Sequence, residues 1–186
     1  SINLLTLSSR NNYFAETPDG SVEFTSSGTI NSSGAGFGVD NQFVSNGKSF
    51  TMEFHTSSPT PVDNLPSLNP NFVDSTTFNG LDAAANKGSL TIDWVAKNTQ
   101  TNQLDHGQVT WSQGQATFTI DPSISYNELT LSFSGDDKAK LRLDNADIIK
   151  TVLPPGENYD FHVAAVYGDG DTTAAQTLHI GQGAAG

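Results

Sequence analysis

The segment YDFHVAAVYGDGDTTAAQTLHI, from Tyr159 to Ile180, predicts a β-hairpin. Its first half alternates apolar and polar residues with a period of two, which is typical of a half-buried strand. The run Gly168-Asp169-Gly170-Asp171 then interrupts the alternation, because glycine permits positive φ and aspartate caps its own turn. A second strand follows from Thr172 to Ile180. The chain is therefore expected to reverse direction at this turn, with the two strands paired.

Short strand-like runs separated by turn residues continue along the rest of the chain. This spacing predicts an all-β fold, a β-sandwich or jelly roll with long loops and at most one short helix. The helical candidate is Leu81 to Lys87, ended by Gly88. The predicted strands outside the hairpin are Ile2–Leu7, Ser21–Thr25, Ser49–His55, Ser89–Lys97, Gln108–Ser112, Ala116–Ile120, Glu128–Ser134, Ala139–Leu143 and Ala146–Val152.

The alternation within these runs also predicts the core. Three sets of apolar residues share a strand face: Phe50, Met52 and Phe54; Leu90, Ile92 and Trp94; and Leu129, Leu131 and Phe133. The segment from Thr56 to Asn79 has no clear period and contains four prolines. It is predicted to be a long loop, either a ligand-binding loop or a solvated cover over a sheet edge.

The composition limits the possible functions. The chain has 186 residues and a net charge of -12, with 20 acidic against 8 basic side chains, so it should repel nucleic acid and anionic membranes. It contains no cysteine, which excludes disulfides and thiolate zinc sites. No apolar stretch approaches the roughly 18 residues that span a bilayer. We expect one domain over residues 1–180, followed by a linker over residues 181–186, within a longer chain.

Three acidic clusters in turns predict calcium binding. Short carboxylates and amides in separate loops are the oxygen ligands that Ca²⁺ prefers, and bound metal would stabilise a domain without disulfides. A generally acidic surface is the alternative interpretation. The predicted ligands are Asp40, Asn41, Asp136, Asp137, Asp144, Asn145, Asp169 and Asp171.

Signals for catalysis are weaker. In simple hairpin register His179 lies near Asp160 and diagonal to His162, a face that is either solvated or able to bind a transition metal. The chain contains neither a G-x-S-x-G elbow nor an H-E-x-x-H motif. A carboxylate pair for glycoside hydrolysis remains open, but the acids occur in Gly/Asn/Ser turns, which favours structural metal.

Two segments resemble modules of the giant calcium-dependent RTX adhesins of Gram-negative bacteria. One is the ending Val166-Tyr167-Gly168-Asp169-Gly170-Asp171 and onward to Ile180, which is similar to the closing hairpin of such modules. The other is Gly36 to Asn41 followed by Asn46 to Phe54. The resemblance implies an extracellular, calcium-loaded β-sandwich near the tip of an adhesin, of the peptide-binding type.

The expected function is therefore calcium-dependent adhesion without catalysis. A monomeric domain on the cell surface would bind a peptide or protein of another cell, and a partly open calcium would hold a ligand carboxylate. Trp111 and His106 are the candidate ligand contacts. The alternatives are a calcium-dependent carbohydrate-binding module, in which Trp111 or a tyrosine would stack on a sugar, a spacer that binds nothing, and a lyase or glycosidase.

Overall fold

The computed structural model describes residues 1–9, 13–56, 69–80 and 86–151, together with the strands at residues 158–163 and 176–181. The chain divides into two compact units, Ser1–Lys150 and Thr151–Gly186. The single domain over residues 1–180 stays a prediction, and each unit is described by itself.

The first unit is a β-sandwich of two antiparallel sheets, which confirms the predicted fold class. One sheet has the strand order β11-β8-β13-β6-β5, with β1 also paired to β13. Its strands are β1 (Ile2–Asn3), β5 (Ile30–Ser33), β6 (Gly36–Val39), β8 (Ser75–Gly80), β11 (Thr117–Ile120) and β13 (Leu143–Ile149).

The second sheet of the sandwich has seven strands in the order β10-β9-β12-β7-β4-β3-β2. Its strands are β2 (Ser8–Ser9), β3 (Tyr13–Thr17), β4 (Gly20–Ser26), β7 (Lys48–His55), β9 (Ser89–Asn98), β10 (Gln103–Ser112) and β12 (Glu128–Gly135). A 3₁₀ turn at Leu4–Thr6 lies between β1 and β2.

The core lies between the two sheets and is rich in phenylalanine. Phe37 on β6 contacts Phe24 on β4 and Phe50 on β7, with ring centroids 5.8 and 5.2 Å apart. Phe50 in turn contacts Phe78 on β8, at 6.1 Å. Because these pairs join strands of different sheets, they bind the two layers together. The three predicted inward-facing sets lie in or against this core.

The hairpin that the sequence predicts forms in the second unit. Strands β14 (Asn158–Val163) and β15 (Gln176–Gly181) pair antiparallel, with Asp160 opposite His179. This is the simple register expected from the sequence. The turn between the strands, with Asp169 and Asp171, lies outside the described residues. Strand β15 ends at Gly181, the first residue of the predicted linker.

Several predicted boundaries are wrong. The run Ile2–Leu7 is a two-residue strand followed by a 3₁₀ turn, because the side chain of Asn3 accepts a hydrogen bond from the Leu5 amide. The run Ala139–Leu143 forms isolated bridges before β13 begins. Strand β8 begins inside the predicted long loop 56–79 and ends one residue beyond it. In the helical candidate, Lys87 bridges Lys140, whereas residues 81–85 lie outside the described part.

The sequence analysis also missed the short strands β3, β5 and β6. Serine, asparagine and glycine leave few apolar residues in β5 and β6 to mark a strand. Within the described residues, no helix has the length and apolar character needed to cross a membrane.

Candidate functional site

A cluster of two glutamates and one histidine lies on the outer face of the seven-stranded sheet. On β7 the inward positions are Phe50, Met52 and Phe54, so Glu53 and His55 point to the opposite face. Glu23 lies on β4 directly opposite Glu53. The alternation of two strands and the register between them therefore place the three side chains together.

The geometry of this cluster suits a metal ion. His55 Nε2 lies 3.7 Å from a Glu23 carboxylate oxygen and 3.9 Å from a Glu53 carboxylate oxygen. One ligand atom from each of the three residues lies within 4.8 Å of the others. The side chains of Glu23 and His55 are each 10% exposed, whereas that of Glu53 is 42% exposed. The cluster can hold a metal ion and is accessible on the Glu53 side.

The electrostatics of the cluster are dominated by like charges. Glu53 is directly opposite Glu128 on β12 as well as Glu23 on β4. Burial raises the pKa of the Glu53 carboxyl, and the charges of Glu23 and Glu128 raise it further. Lys97 lies 3.8 Å from a Glu128 oxygen and partly offsets this repulsion. Glu23, Glu53 and Glu128 therefore form a row of carboxylates across three strands, and the excess negative charge of this row favours a bound cation.

The backbone around His55 is held on both sides. Thr56 donates its amide to the Asn69 carbonyl at 2.9 Å, and Asn71 donates to the Phe54 carbonyl at 2.9 Å. On the β4 side, a Cβ atom on Gly20 would lie only 1.8 Å from the His55 carbonyl oxygen. Glycine is therefore needed at position 20 for the two backbones to approach each other.

A pocket of about 230 Å³ lies elsewhere in the first unit and is the second candidate site. Its apolar lining comes from both sheets and the connections between strands. Its polar lining includes Asp19, Asn71 and Lys150. The apolar residues are Ile2, Pro18, Val22, Phe54, Val73 and Ile148.

The polar groups of this pocket form one network. Lys150 Nζ contacts Asp19 Oδ2 at 2.8 Å and donates to Asn71 Oδ1. Asn71 Nδ2 donates to Asp19 Oδ2 at 3.3 Å, and Thr17 Oγ1 donates to Asp19 Oδ1 at 3.2 Å. The hydrogen bond from Lys150 is the main reason that the pKa of Asp19 lies below its usual value. The network thus keeps opposite charges together beside an apolar floor.

Two of the predicted calcium-binding loops contact the same turn, residues 45–48. Asp40 Oδ2 lies 2.7 Å from Lys48 Nζ, and its Oδ1 accepts from the Thr29 amide at 2.8 Å. The bond from Lys48 is the main reason that the pKa of Asp40 is lowered. Asn46 Nδ2 donates to Asp137 Oδ1 at 2.6 Å.

The remaining predicted ligands have other surroundings. Asp136 Oδ1 accepts from the Lys138 amide at 2.9 Å. Asn145 accepts from the side chain of Asn79, on the neighbouring strand β8. Asp144 is half-buried in β13 and Asn41 is exposed. Within the described residues, the one group with metal-ligand geometry is Glu23, Glu53 and His55, which includes none of the predicted ligands.

The two predicted ligand contacts both lie on β10 but on opposite faces. Trp111 is 1% exposed and its Nε1 donates to the Gln115 carbonyl at 3.1 Å. Trp111 therefore faces the core from its position on β10, and its contact with a ligand stays a prediction. His106 is exposed, opposite Val95 of β9.

The sequence contains part of the signal for the cluster. The alternation that places Phe54 inside also places Glu53 and His55 together outside, as a Glu-x-His pair on one strand. The third residue, Glu23, depends on the register between β4 and β7, which the alternation alone does not fix.

Comparison with known proteins gives no match to a protein-family model, a curated protein or a solved structure.

Proposed function

We propose that this chain is a non-enzymatic binding module of an extracellular bacterial adhesin, which binds a peptide or protein of another cell. The observation that carries the proposal is the pocket lined by Asp19, Asn71 and Lys150, with its apolar floor. Apolar concavities with a few convergent polar groups are the usual form of binding sites for small ligands and peptide residues.

The pocket supports a peptide as the ligand because it combines two kinds of contact. Its floor of aliphatic and phenylalanine side chains suits one apolar peptide side chain. The ammonium group of Lys150 has three N–H donors, and two of them donate hydrogen bonds to Asp19 and Asn71. The third donor can bind a peptide carboxylate or carbonyl oxygen. Asp19 can accept a hydrogen bond from a peptide amide.

The placement of the tryptophans favours a peptide over a sugar. Trp111 is in the core, and Trp94 packs against it from the inward face of β9. Rings in these positions support the sandwich rather than stack on a ligand. The proposal therefore takes a peptide or protein as the partner, and glycans serve as a comparison in the test.

Calcium dependence is the second part of the proposal. Asp40 and Asp137 both contact the turn at residues 45–48, so two acidic loops meet the same part of the chain. Carboxylates and amides drawn from separate loops are typical of calcium sites. Calcium at this corner would tie the loops together and support the binding surface.

The test is a binding screen of the purified chain in millimolar calcium, against displayed peptides and against a glycan array. We expect the selected peptides to share an apolar residue and to bind without hydrolysis. Lys150→Ala should weaken their binding at least tenfold, since a hydrogen bond to a charged group contributes about 1.5–3 kcal/mol. Lys138→Ala is the matched control, because Lys138 is an exposed lysine outside the pocket.

Two results would contradict this function. Selected peptides that bind Lys150→Ala and Lys138→Ala equally well would remove the pocket from the proposal, and a glycan-only response would replace the peptide. Peptide binding and melting temperature that are unchanged by a calcium-selective chelator would remove the calcium component.

A further inference from the structure

We infer that Glu23, Glu53 and His55 form a binding site for a transition-metal ion of the Zn²⁺ class. The inference concerns a different site and a different metal from the proposed calcium-dependent function, and it does not rest on that function. It follows from the donor atoms, their spacing and the charge of the surrounding row.

The donor atoms separate Zn²⁺ from Ca²⁺. Imidazole nitrogen with carboxylate oxygen is a common zinc donor set, and three protein ligands of this kind leave a fourth position for water or a ligand. Calcium instead takes six to eight oxygen ligands, and imidazole is not among its usual ligands. The presence of His55 beside the two carboxylates therefore favours a metal that accepts a nitrogen ligand.

The spacing is close to that of a metal-bound cluster. With bond lengths of about 2.0–2.2 Å, neighbouring ligand atoms of a tetrahedral ion lie about 3.3–3.6 Å apart. The distances from His55 Nε2 to Glu23 and Glu53 are 3.7 and 3.9 Å. Small rotations about the side-chain torsions of the two glutamates would bring these oxygens within that range of His55 Nε2.

The two strands hold this arrangement in advance. Glu23 and Glu53 are direct cross-strand partners on β4 and β7, and His55 is two residues from Glu53 on the same face. Glu23 and His55 are nine-tenths buried, which limits their freedom, whereas the more exposed Glu53 gives an ion access from solvent. Metal binding therefore requires little ordering of the chain.

The charge of the surrounding row favours a cation at this position. Glu23, Glu53 and Glu128 follow one another across three adjacent strands, with Lys97 beyond Glu128. Opposed like charges destabilise a sheet. A divalent ion between Glu23 and Glu53 would turn that repulsion into two metal–oxygen contacts.

The experiment measures Zn²⁺ binding by calorimetry, with metal-free full-length chain, and compares two glutamate variants. We expect one Zn²⁺ ion per chain in this site, and weakening of at least tenfold in Glu53→Gln. Glu128→Gln is the matched control, because it removes the same charge from the same row but leaves the three donors. Its affinity for Zn²⁺ should stay within about threefold of the wild type, because Glu128 pairs with Lys97 and supplies no donor atom to the ion.

A second readout identifies the nitrogen ligand without altering a buried residue. Addition of Zn²⁺ should shift the imidazole ¹⁵N resonance of His55, and addition of Co²⁺ should give the visible absorption of a four-coordinate ion. Neither signal should change when millimolar Ca²⁺ is present.

Three outcomes would overturn the inference. Equal weakening in Glu53→Gln and Glu128→Gln would mean that the row only accumulates cations electrostatically. Zinc binding that Glu53→Gln leaves unchanged would place the ion on other histidines. Full displacement by equimolar Ca²⁺ would reject the transition-metal class.

Discussion

At the scale of single residues, the fold places the ionised carboxylate of Glu53 beside two other carboxylates, which is unfavourable. Glu23 and Glu128 are its direct cross-strand partners, and both raise its pKa together with burial. A folded-state pKa above the unfolded value means that the folded state favours the protonated carboxyl. Stability from this group is present below the unfolded pKa and is lost as the pH rises through the folded pKa.

We therefore expect Glu53→Gln to stabilise the metal-free protein relative to wild type as the pH rises from 4 to 7. The gain at neutral pH should reach at most about 1 kcal/mol, the usual range for a cross-strand pair. Urea unfolding in the presence of chelator measures it. The neighbouring residues Glu23, His55, Glu128 and Lys97 are the same in both proteins, so the comparison with Glu53→Gln isolates the contribution of the carboxyl.

The same variant should have the opposite effect in excess Zn²⁺, where wild type gains stability from the ion and Glu53→Gln does not. A stability difference that stays constant between pH 4 and pH 7 in chelator would show that the three carboxylates do not repel one another in the folded state.

The sequence predicted some of these residue positions and not others for a clear physical reason. Alternation decides which face of a strand a residue occupies, so the inward placement of Phe50, Met52 and Phe54 was predictable, as was the outward placement of Glu53. Alternation does not decide which strand lies alongside, so Glu23 was not predictable as the partner of Glu53. The same rule shows why Trp111 is buried, once β10 is known to extend across the sheet.

At the scale of elements, β10 is twice the length that the sequence predicted. The predicted strand began at Gln108, whereas the strand begins at Gln103 and pairs with β9 along all ten residues. Exposed residues such as Leu104 and His106 hide the alternation, and Gly107 interrupts the strand pattern. The structural reason for Gly107 is its partner, Trp94, whose indole ring occupies the space of the absent side chain.

Gly107→Ala tests this close approach. A Cβ atom at position 107 would lie 2.4 Å from Trp94 Cζ2, so the ring must move away. We expect destabilisation of about 1–3 kcal/mol, as for other overpacking substitutions, measured by urea unfolding. Tryptophan fluorescence should change as well, since Trp94 is one of two tryptophans in the chain.

Gly34→Ala provides the control, because a Cβ atom there would meet nothing within 4 Å. Its unfolding free energy should match that of wild type within about 0.5 kcal/mol. Equal behaviour of the two alanine variants would show that the indole ring does not need the space above Gly107.

Strand β8 is a strand where the sequence predicts a loop. The sequence predicts a long loop from Thr56 to Asn79, because this segment contains four prolines and has no clear period, and β8 begins within it. Thr76 and Phe78 are nevertheless fully buried, and the Thr76 hydroxyl is hydrogen-bonded to the Tyr126 hydroxyl at 2.8 Å. A buried threonine is predictable only when its hydrogen-bond partner is known.

At the scale of the whole molecule, the fold class was predictable because many strands keep one buried face, which leaves a period of two in the sequence. The division of the chain was not predictable in this way, because strand periodicity is the same within one domain and across two. The structure separates the unit Ser1–Lys150 from the unit Thr151–Gly186. Both large sheets and their described strand pairings belong to the first unit.

We expect a chain of residues 1–150 to fold without the second unit. Among the residues whose burial the structure describes, the aromatic contacts between the two sheets and the core around them lie in this part of the sequence. Such a core is sufficient for a domain of this size. The shortened chain should therefore unfold in one cooperative transition, keep its near-ultraviolet circular dichroism and bind Zn²⁺ with the affinity of the full chain. A shortened chain that lacks these signals, beside a full chain that unfolds in a single step, would support one folding unit over residues 1–180.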